Sequence, residues 1–169
     1  MKKLFLMMTV LMASLCLQAQ TKFHDVELNE AKGPVKAIKM TLMGADINID
    51  FSQDGKMQRA GMADAVYDAE GYLQSAKWEM RGQQVAVSFK WENGKLKSQT
   101  VNVMGNDITT AYTYNDNGAP ASQEMNLGGQ TMSIPYTDYK YDSHGNWTSR
   151  KTTMMGQEIE TSRTITYYE

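Results

Sequence analysis

Between residues 84 and 91 the chain alternates in period two. Val85, Val87, Phe89 and Trp91 fall on one side, and Gln84, Ala86, Ser88 and Lys90 on the other. The same alternation opposes Ile47, Ile49 and Phe51 to Asp46, Asn48 and Asp50, and it sets Ile108, Thr110, Tyr112 and Tyr114 on a single face. That period marks half-buried strands, and the Val, Ile, Thr and Tyr content suits a pleated surface. Past the N-terminus no stretch carries a helical period. "AGMADAVYDAEG" comes nearest, but Gly61 and the lack of capping residues count against it.

Glycines punctuate these segments in two alternating sets. The first closes a recurring phrase that opens on an aromatic residue: Phe51…Gly55, Tyr67…Gly71, Trp91…Gly94, Tyr114…Gly118 and Tyr141…Gly145. Two residues past each glycine stands another apolar residue, namely Met57, Leu73, Leu96, Pro120 and Trp147. The second set, Gly44, Gly82, Gly105, Gly129 and Gly156, lies just after Met43, Met80, Met104, Leu127 and Met155. Glycine accepts the positive φ that tight turns require, and an Asp or Asn three residues before it suits a type I turn followed by a left-handed residue. Each phrase is therefore expected to be a hairpin end, with its aromatic facing its apolar partner across the hairpin. The predicted fold is all-β: an antiparallel meander of about 10–11 short strands built from β-hairpin repeats. Its apolar face has to be covered, so the sheet should curl into a barrel-like form or pack on a second copy.

The Tyr-Asp…Gly phrases, "YDAEG" and "YDSHGNWTSR" above all, resemble the YD repeat of Rhs-type proteins and of short secreted YD-like repeat proteins of Gram-negative bacteria. The likeness runs from Phe51 to Glu169, with "KGPVKAIKM" as a lead-in strand. It implies a β-hairpin array outside the cytoplasm with no shared catalytic residue. "WENG" departs from it, lacking both Tyr and Asp, and five copies are far fewer than a long Rhs array.

Lys2 and Lys3 precede an apolar run from Leu4 to Leu17, with Ala19 before a plausible cut at Gln20, which is the form of a secretory signal. The run is too short for a membrane-spanning helix, which needs about 20 residues. Leu15 is larger than the residue that normally precedes a lipidated cysteine, so the reading for Cys16 is removal with the signal rather than lipid anchoring. The expected division is a signal peptide at 1–19, a lead-in segment at 20–33 and the repeat domain at 34–169. The expected location is periplasmic or extracellular. Losing Lys2 and Lys3 takes the 17 basic residues down to 15 against 19 acidic, a net charge of −4. No basic cluster offers the footprint of a nucleic-acid binder. A membrane barrel is disfavoured by short turns on both sides and a mean hydropathy of −0.51.

Candidate chemistry is sparse. The methionines before the second glycines (Met43, Met80, Met104 and Met155) suggest soft Cu(I) ligation, yet methionine more often fills irregular core space. Asp68, Glu92, Asn115 and Asp142 invite calcium, but Asp and Asn at turn starts usually bond their own backbone. His24 and His144 read as exposed. No metal and no cofactor is assigned. The candidate ligand or partner surface is the aromatic set Phe51, Tyr67, Trp78, Trp91, Tyr112, Tyr114, Tyr139, Tyr141 and Trp147, which is otherwise a stacked core ladder. The leading expectation is an exported, non-enzymatic protein that binds or scaffolds at the cell envelope. Its partner would be an envelope protein or glycan, and a homodimer through the apolar sheet face is a further possibility. The alternatives are a carrier holding a hydrophobic small ligand in a barrel interior, with Tyr112, Tyr139 and Trp91 around it, and a small hydrolase working with paired carboxylates.

Overall fold

The structure is a computed structural model. It describes residues 22–169 except 43, 44, 81, 128 and 155, so the expected signal peptide, Cys16, Met43 and Met155 lie outside the described residues. Among the described residues, a one-turn helix α1 (Asp25–Leu28) is followed by twelve strands. They are β1 (Val35–Leu42), β2 (Ala45–Phe51), β3 (Met57–Gln58), β4 (Met62–Tyr67), β5 (Leu73–Met80) and β6 (Gln83–Glu92). Then follow β7 (Lys95–Val103), β8 (Asn106–Tyr114), β9 (Pro120–Leu127), β10 (Gln130–Tyr141), β11 (Trp147–Met154) and β12 (Gln157–Tyr167). All pair antiparallel in one sheet. The all-β reading holds, with two corrections. The strand count is twelve, because β3 ends after two residues and the chain then starts a separate β4. A turn of helix also sits in the lead-in segment, where no helical period could announce so short an element.

The order across the sheet is β3-β2-β1-β12-β11-β10-β9-β8-β7-β6-β5-β4. First and last strands are thus neighbours, joined by pairs such as Ile38 with Ile165. The sheet is not closed, and its break falls between β3 and β4, which are consecutive in the chain. Laid flat, twelve strands at roughly 4.8 Å spacing would hold these edges about 50 Å apart. Instead a single carboxylate touches both. Asp25 Oδ2 accepts from the Met57 amide of β3 at 2.8 Å and from the Tyr67 hydroxyl of β4 at 2.7 Å. The sheet therefore curls almost completely round, and residues 22–34 close its seam.

The predicted register holds at every phrase. Phe51 faces Met57, Tyr67 faces Leu73, Trp91 faces Leu96, Tyr114 faces Pro120, and Tyr141 faces Trp147. In four of the five a bulge adjoins the aromatic. The turns explain why "WENG" departs from the rest. It is a two-residue Asn93–Gly94 turn with both φ positive, at 51° and 73°. "YDSHG" is longer, with Gly145 N–H donating to Asp142 O and Asp142 N–H to Asn146 O. Of the second set of glycines, Gly105 forms a two-residue hairpin with Met104 at the opposite rim, with φ of 52° and 82°.

Two apolar clusters line the concave side. One gathers Val26, Val35, Ile38, Ile49, Phe51 and Met57, and the other Leu73, Ala76, Val87, Phe89 and Leu96. Leu28 of α1 packs against both. Covering by the chain's own N-terminal segment thus supplies what the sheet's apolar face demands.

Candidate functional site

The aromatic ladder does first what its period implies. In four of the phrases, pairing with the following strand stops two residues short of the apolar residue, at Ser75–Ser88, Ser98–Ala111, Ser122–Pro135 and Ser149–Ser162. A side chain of that strand reaches the carbonyl left beyond it. Trp91 Nε1 donates to Leu73 O at 2.8 Å, Tyr114 Oη to Leu96 O at 2.7 Å, and Tyr139 Oη to Pro120 O at 2.5 Å. In the last repeat Arg163 Nε takes this role, donating to Trp147 O at 2.8 Å. The acceptors are the apolar residues two past each glycine. The repeat is thus a hydrogen-bonding device as well as a packing one, because a buried carbonyl without a donor is costly.

The N-terminal segment crosses the end of the sheet that carries these phrases. Lys22 and Phe23 amides donate to Asp54 O, and the His24 amide to Gly71 O. Gly71 lies so close that a Cβ there would meet Lys22 O at 1.8 Å. His24 stacks on Tyr72 at 3.8 Å and is half-buried, where the sequence suggested an exposed residue. Farther along, Asn146 Nδ2 donates to Lys32 O and its Oδ1 accepts from the Lys32 amide. Asp25 is fully buried at the seam, and its carboxyl is pushed up by burial against the partial relief of the Met57 and Tyr67 bonds.

The segment's strongest anchor is Glu30. Its Oε2 accepts from Arg150 Nη1 at 2.6 Å and from Trp147 Nε1 at 3.0 Å. Four side chains then stack in order. Tyr136 lies 3.8 Å from the Arg150 guanidinium, Trp147 lies 4.2 Å from its other side, and Arg163 sits 3.6 Å over Trp147. Burial pulls the Arg150 guanidinium down, but Glu30 together with Tyr136 and Tyr139 more than restores it. Arg163 is different. Its Nη1 and Nη2 donate to Asn29 O and Glu30 O, and among the described residues no carboxylate lies within ion-pair distance of it. Burial, the leading cause, lowers it to about 10.

Beside this stack the concave face keeps a cavity of about 340 Å³. Leu28, Met40, Ile134 and Met154 form apolar walls, while Gln123, Tyr136, Arg150, Thr161 and Arg163 supply polar ones. Its size is at the small end of ligand sites, roughly 300–1,000 Å³. The strand register extends the polar wall, because Tyr112 lies opposite Gln123 and Thr110 opposite Gln99. Burial pushes the Tyr136 phenol up to about 12 and raises Tyr112 as well, so both stay neutral donors.

The structure divides the expected surface. Phe51 and Trp147 are core residues, at 2% and 3% exposure. Tyr67 is tied to Asp25, and Trp91, Tyr114 and Tyr139 to backbone carbonyls. Trp78 packs on Phe89 beneath the Arg59 guanidinium. Tyr141 is exposed and stacks on Tyr139. Tyr112 borders the polar wall, and Trp147 floors the cavity; Tyr139 and Trp91 do not line it. Asp25, Glu30, Arg150 and Arg163 escaped the sequence reading. Trp147 and Arg150 lie 117 and 120 positions from Glu30, beyond any local pattern. One signal was present: Ile159, Thr161, Arg163 and Ile165 alternate on one face, and an arginine among them is a charge turned toward a core.

Of the residues considered for calcium, Glu92 pairs with Lys97, and Asp68, Asn115 and Asp142 cap their own turns. Asp68 Oδ1 accepts from the Glu70 and Tyr72 amides, and Asp142 Oδ1 from the His144 and Asn146 amides. Among the described residues, no group of three His, Cys, Asp or Glu residues is placed to hold a metal. Of the methionines considered for copper, Met80 and Met104 are exposed. No described helix is long and apolar enough to cross a membrane. No family model, curated protein or solved structure matches the chain.

Proposed function

We propose that this is an exported, non-enzymatic binding protein of the YD-like repeat type, and that its ligand occupies the concave cavity beneath residues 22–34. The cavity carries the reading. It keeps open space beside a rigid stack of Tyr136, Arg150, Trp147 and Arg163, and it is walled partly by polar groups. Polar side chains facing a concavity are retained at a cost unless water or a ligand satisfies them. Export rests on Lys2, Lys3 and the apolar run after them, and it puts the site of action in the periplasm or outside the cell. The walls support a carrier of small molecules with a polar part, rather than of wholly hydrophobic ones. The test is native mass spectrometry of the exported chain after exposure to small-molecule extracts of cell envelopes. A retained adduct that disappears in Thr161→Trp, which fills the cavity, supports the reading. An adduct that survives the filling, or none from any extract, overturns it.

A further inference from the structure

The cavity is graded from one end to the other. Its floor holds Glu30, Arg150 and Arg163, two cations against one carboxylate, so the buried end is net positive. The second charge is what decides the matter. Arg163 donates from each of its three nitrogens to a backbone carbonyl, which holds the guanidinium in place without neutralising it.

Next to that charge stand donors with spare capacity. Among the described residues, the Arg150 Nε, the Tyr136 and Thr161 hydroxyls and the Gln123 amide make no side-chain hydrogen bond, although each residue lines the cavity. Burial keeps the Tyr136 phenol protonated, pushed up to about 12.

Toward the other rim the inward positions turn apolar. Met40 and Met154 wall the cavity, and Met125 faces Met132 across β9 and β10 two residues beyond Gln123 and Ile134. These are half-buried, flexible thioether chains, which adapt to an unbranched apolar ligand.

From this gradient we propose that the cavity takes an amphiphile head first. A carboxylate head sits against Arg150, Tyr136, Gln123 and Thr161, and an alkyl chain runs out along the methionines. The inference rests on the binding reading above and names its ligand class. An acid fits where an amine does not, because the floor already holds an excess cation and every spare polar group there can donate. An uncharged head would gain the hydrogen bonds without the charge attraction.

The experiment titrates the exported chain with decanoate, 1-decanoylglycerol, decylamine and acetate below their aggregation concentrations. Tryptophan fluorescence and thermal shift are read together. Decanoate should bind at least tenfold more tightly than 1-decanoylglycerol, with decylamine and acetate weaker still. Gln123→Leu should weaken decanoate about tenfold, as the loss of one hydrogen bond to a charged group predicts at its low end. Thr161→Val provides the same measurement if the leucine perturbs the fold. Met132→Glu should weaken decanoate and 1-decanoylglycerol alike. Equal binding of decanoate and 1-decanoylglycerol, or a preference for decylamine, would overturn the proposed head. If no probe binds while an envelope extract still yields an adduct lost in Thr161→Trp, the ligand class is wrong and the cavity reading survives. If that adduct also persists in the filled variant, both fail.

Discussion

Replacing Glu30 by alanine tests whether the N-terminal segment is part of the fold or an appendage to it. The carboxylate holds the Arg150 guanidinium and the Trp147 indole together, and the paired side chains are only 21% and 11% exposed. Removing one partner of a buried ion pair costs about 3–5 kcal/mol because the other charge is stranded. Partial exposure of Glu30 reduces that toward about 2–3 kcal/mol, and the indole N–H left without an acceptor adds about 1 kcal/mol. The expected loss is therefore about 3–4 kcal/mol, or roughly 10 °C in Tm for a domain of this size. Glu30 sits at a positive φ of 56°, and alanine inherits the same backbone demand, so the difference reads the side chain. The assay is urea unfolding followed by tryptophan fluorescence, within a double-mutant cycle that includes Arg150→Met. That cycle should show coupling of about 2 kcal/mol, since neither single replacement leaves its partner satisfied. A Glu30→Ala cost below about 0.5 kcal/mol would refute the reasoning and make residues 22–34 a loosely held tail.

Three further outcomes follow from the same contacts. Gly71→Ala should cost about 3 kcal/mol or more in urea unfolding, since φ is +91° and a Cβ would run into Lys22 O; Gly105→Ala, with φ +82° and open space, should cost only about 1–2 kcal/mol. Tyr114→Phe should cost about 1–2 kcal/mol by leaving Leu96 O without its donor, and a neutral result would deny the reach-back bonds their structural role. Asp25 is raised in the folded state above its ordinary 3.8, so the folded chain binds its proton more tightly than the unfolded one. Its contribution is then most favourable at low pH and declines as pH rises from about 4 through the raised value. The stability of wild type minus that of Asp25→Asn should fall across that window, and a flat difference between pH 3.5 and 8 would contradict the burial effect.

Alternation and glycine spacing were enough to specify the hairpins of this protein and their register. Side chains on neighbouring residues take opposite faces of a strand, and a positive φ confines the turn to a few positions. Phe51 opposite Met57 and Trp91 opposite Leu96 were accessible from spacing alone because both partners lie within one hairpin. The third dimension settled where the ring breaks, and which segment fills it. Strand β1 beside β12 joins residues more than 120 positions apart, and no local period encodes such a meeting. Asp25 at the seam and Glu30 against Arg150 belong to the same kind of contact. They are single polar side chains whose partners arrive only when the sheet has curled. Of the aromatics chosen from sequence, Phe51 and Trp147 went to the core, Tyr67 to Asp25, and Trp91, Tyr114 and Tyr139 to backbone carbonyls. The cavity formed instead where Gln123, Tyr136, Arg150 and Thr161, unremarkable along the chain, converge on the concave face. Hairpins are written by short-range sterics, whereas a binding site inside a curled sheet depends on which distant strands become neighbours.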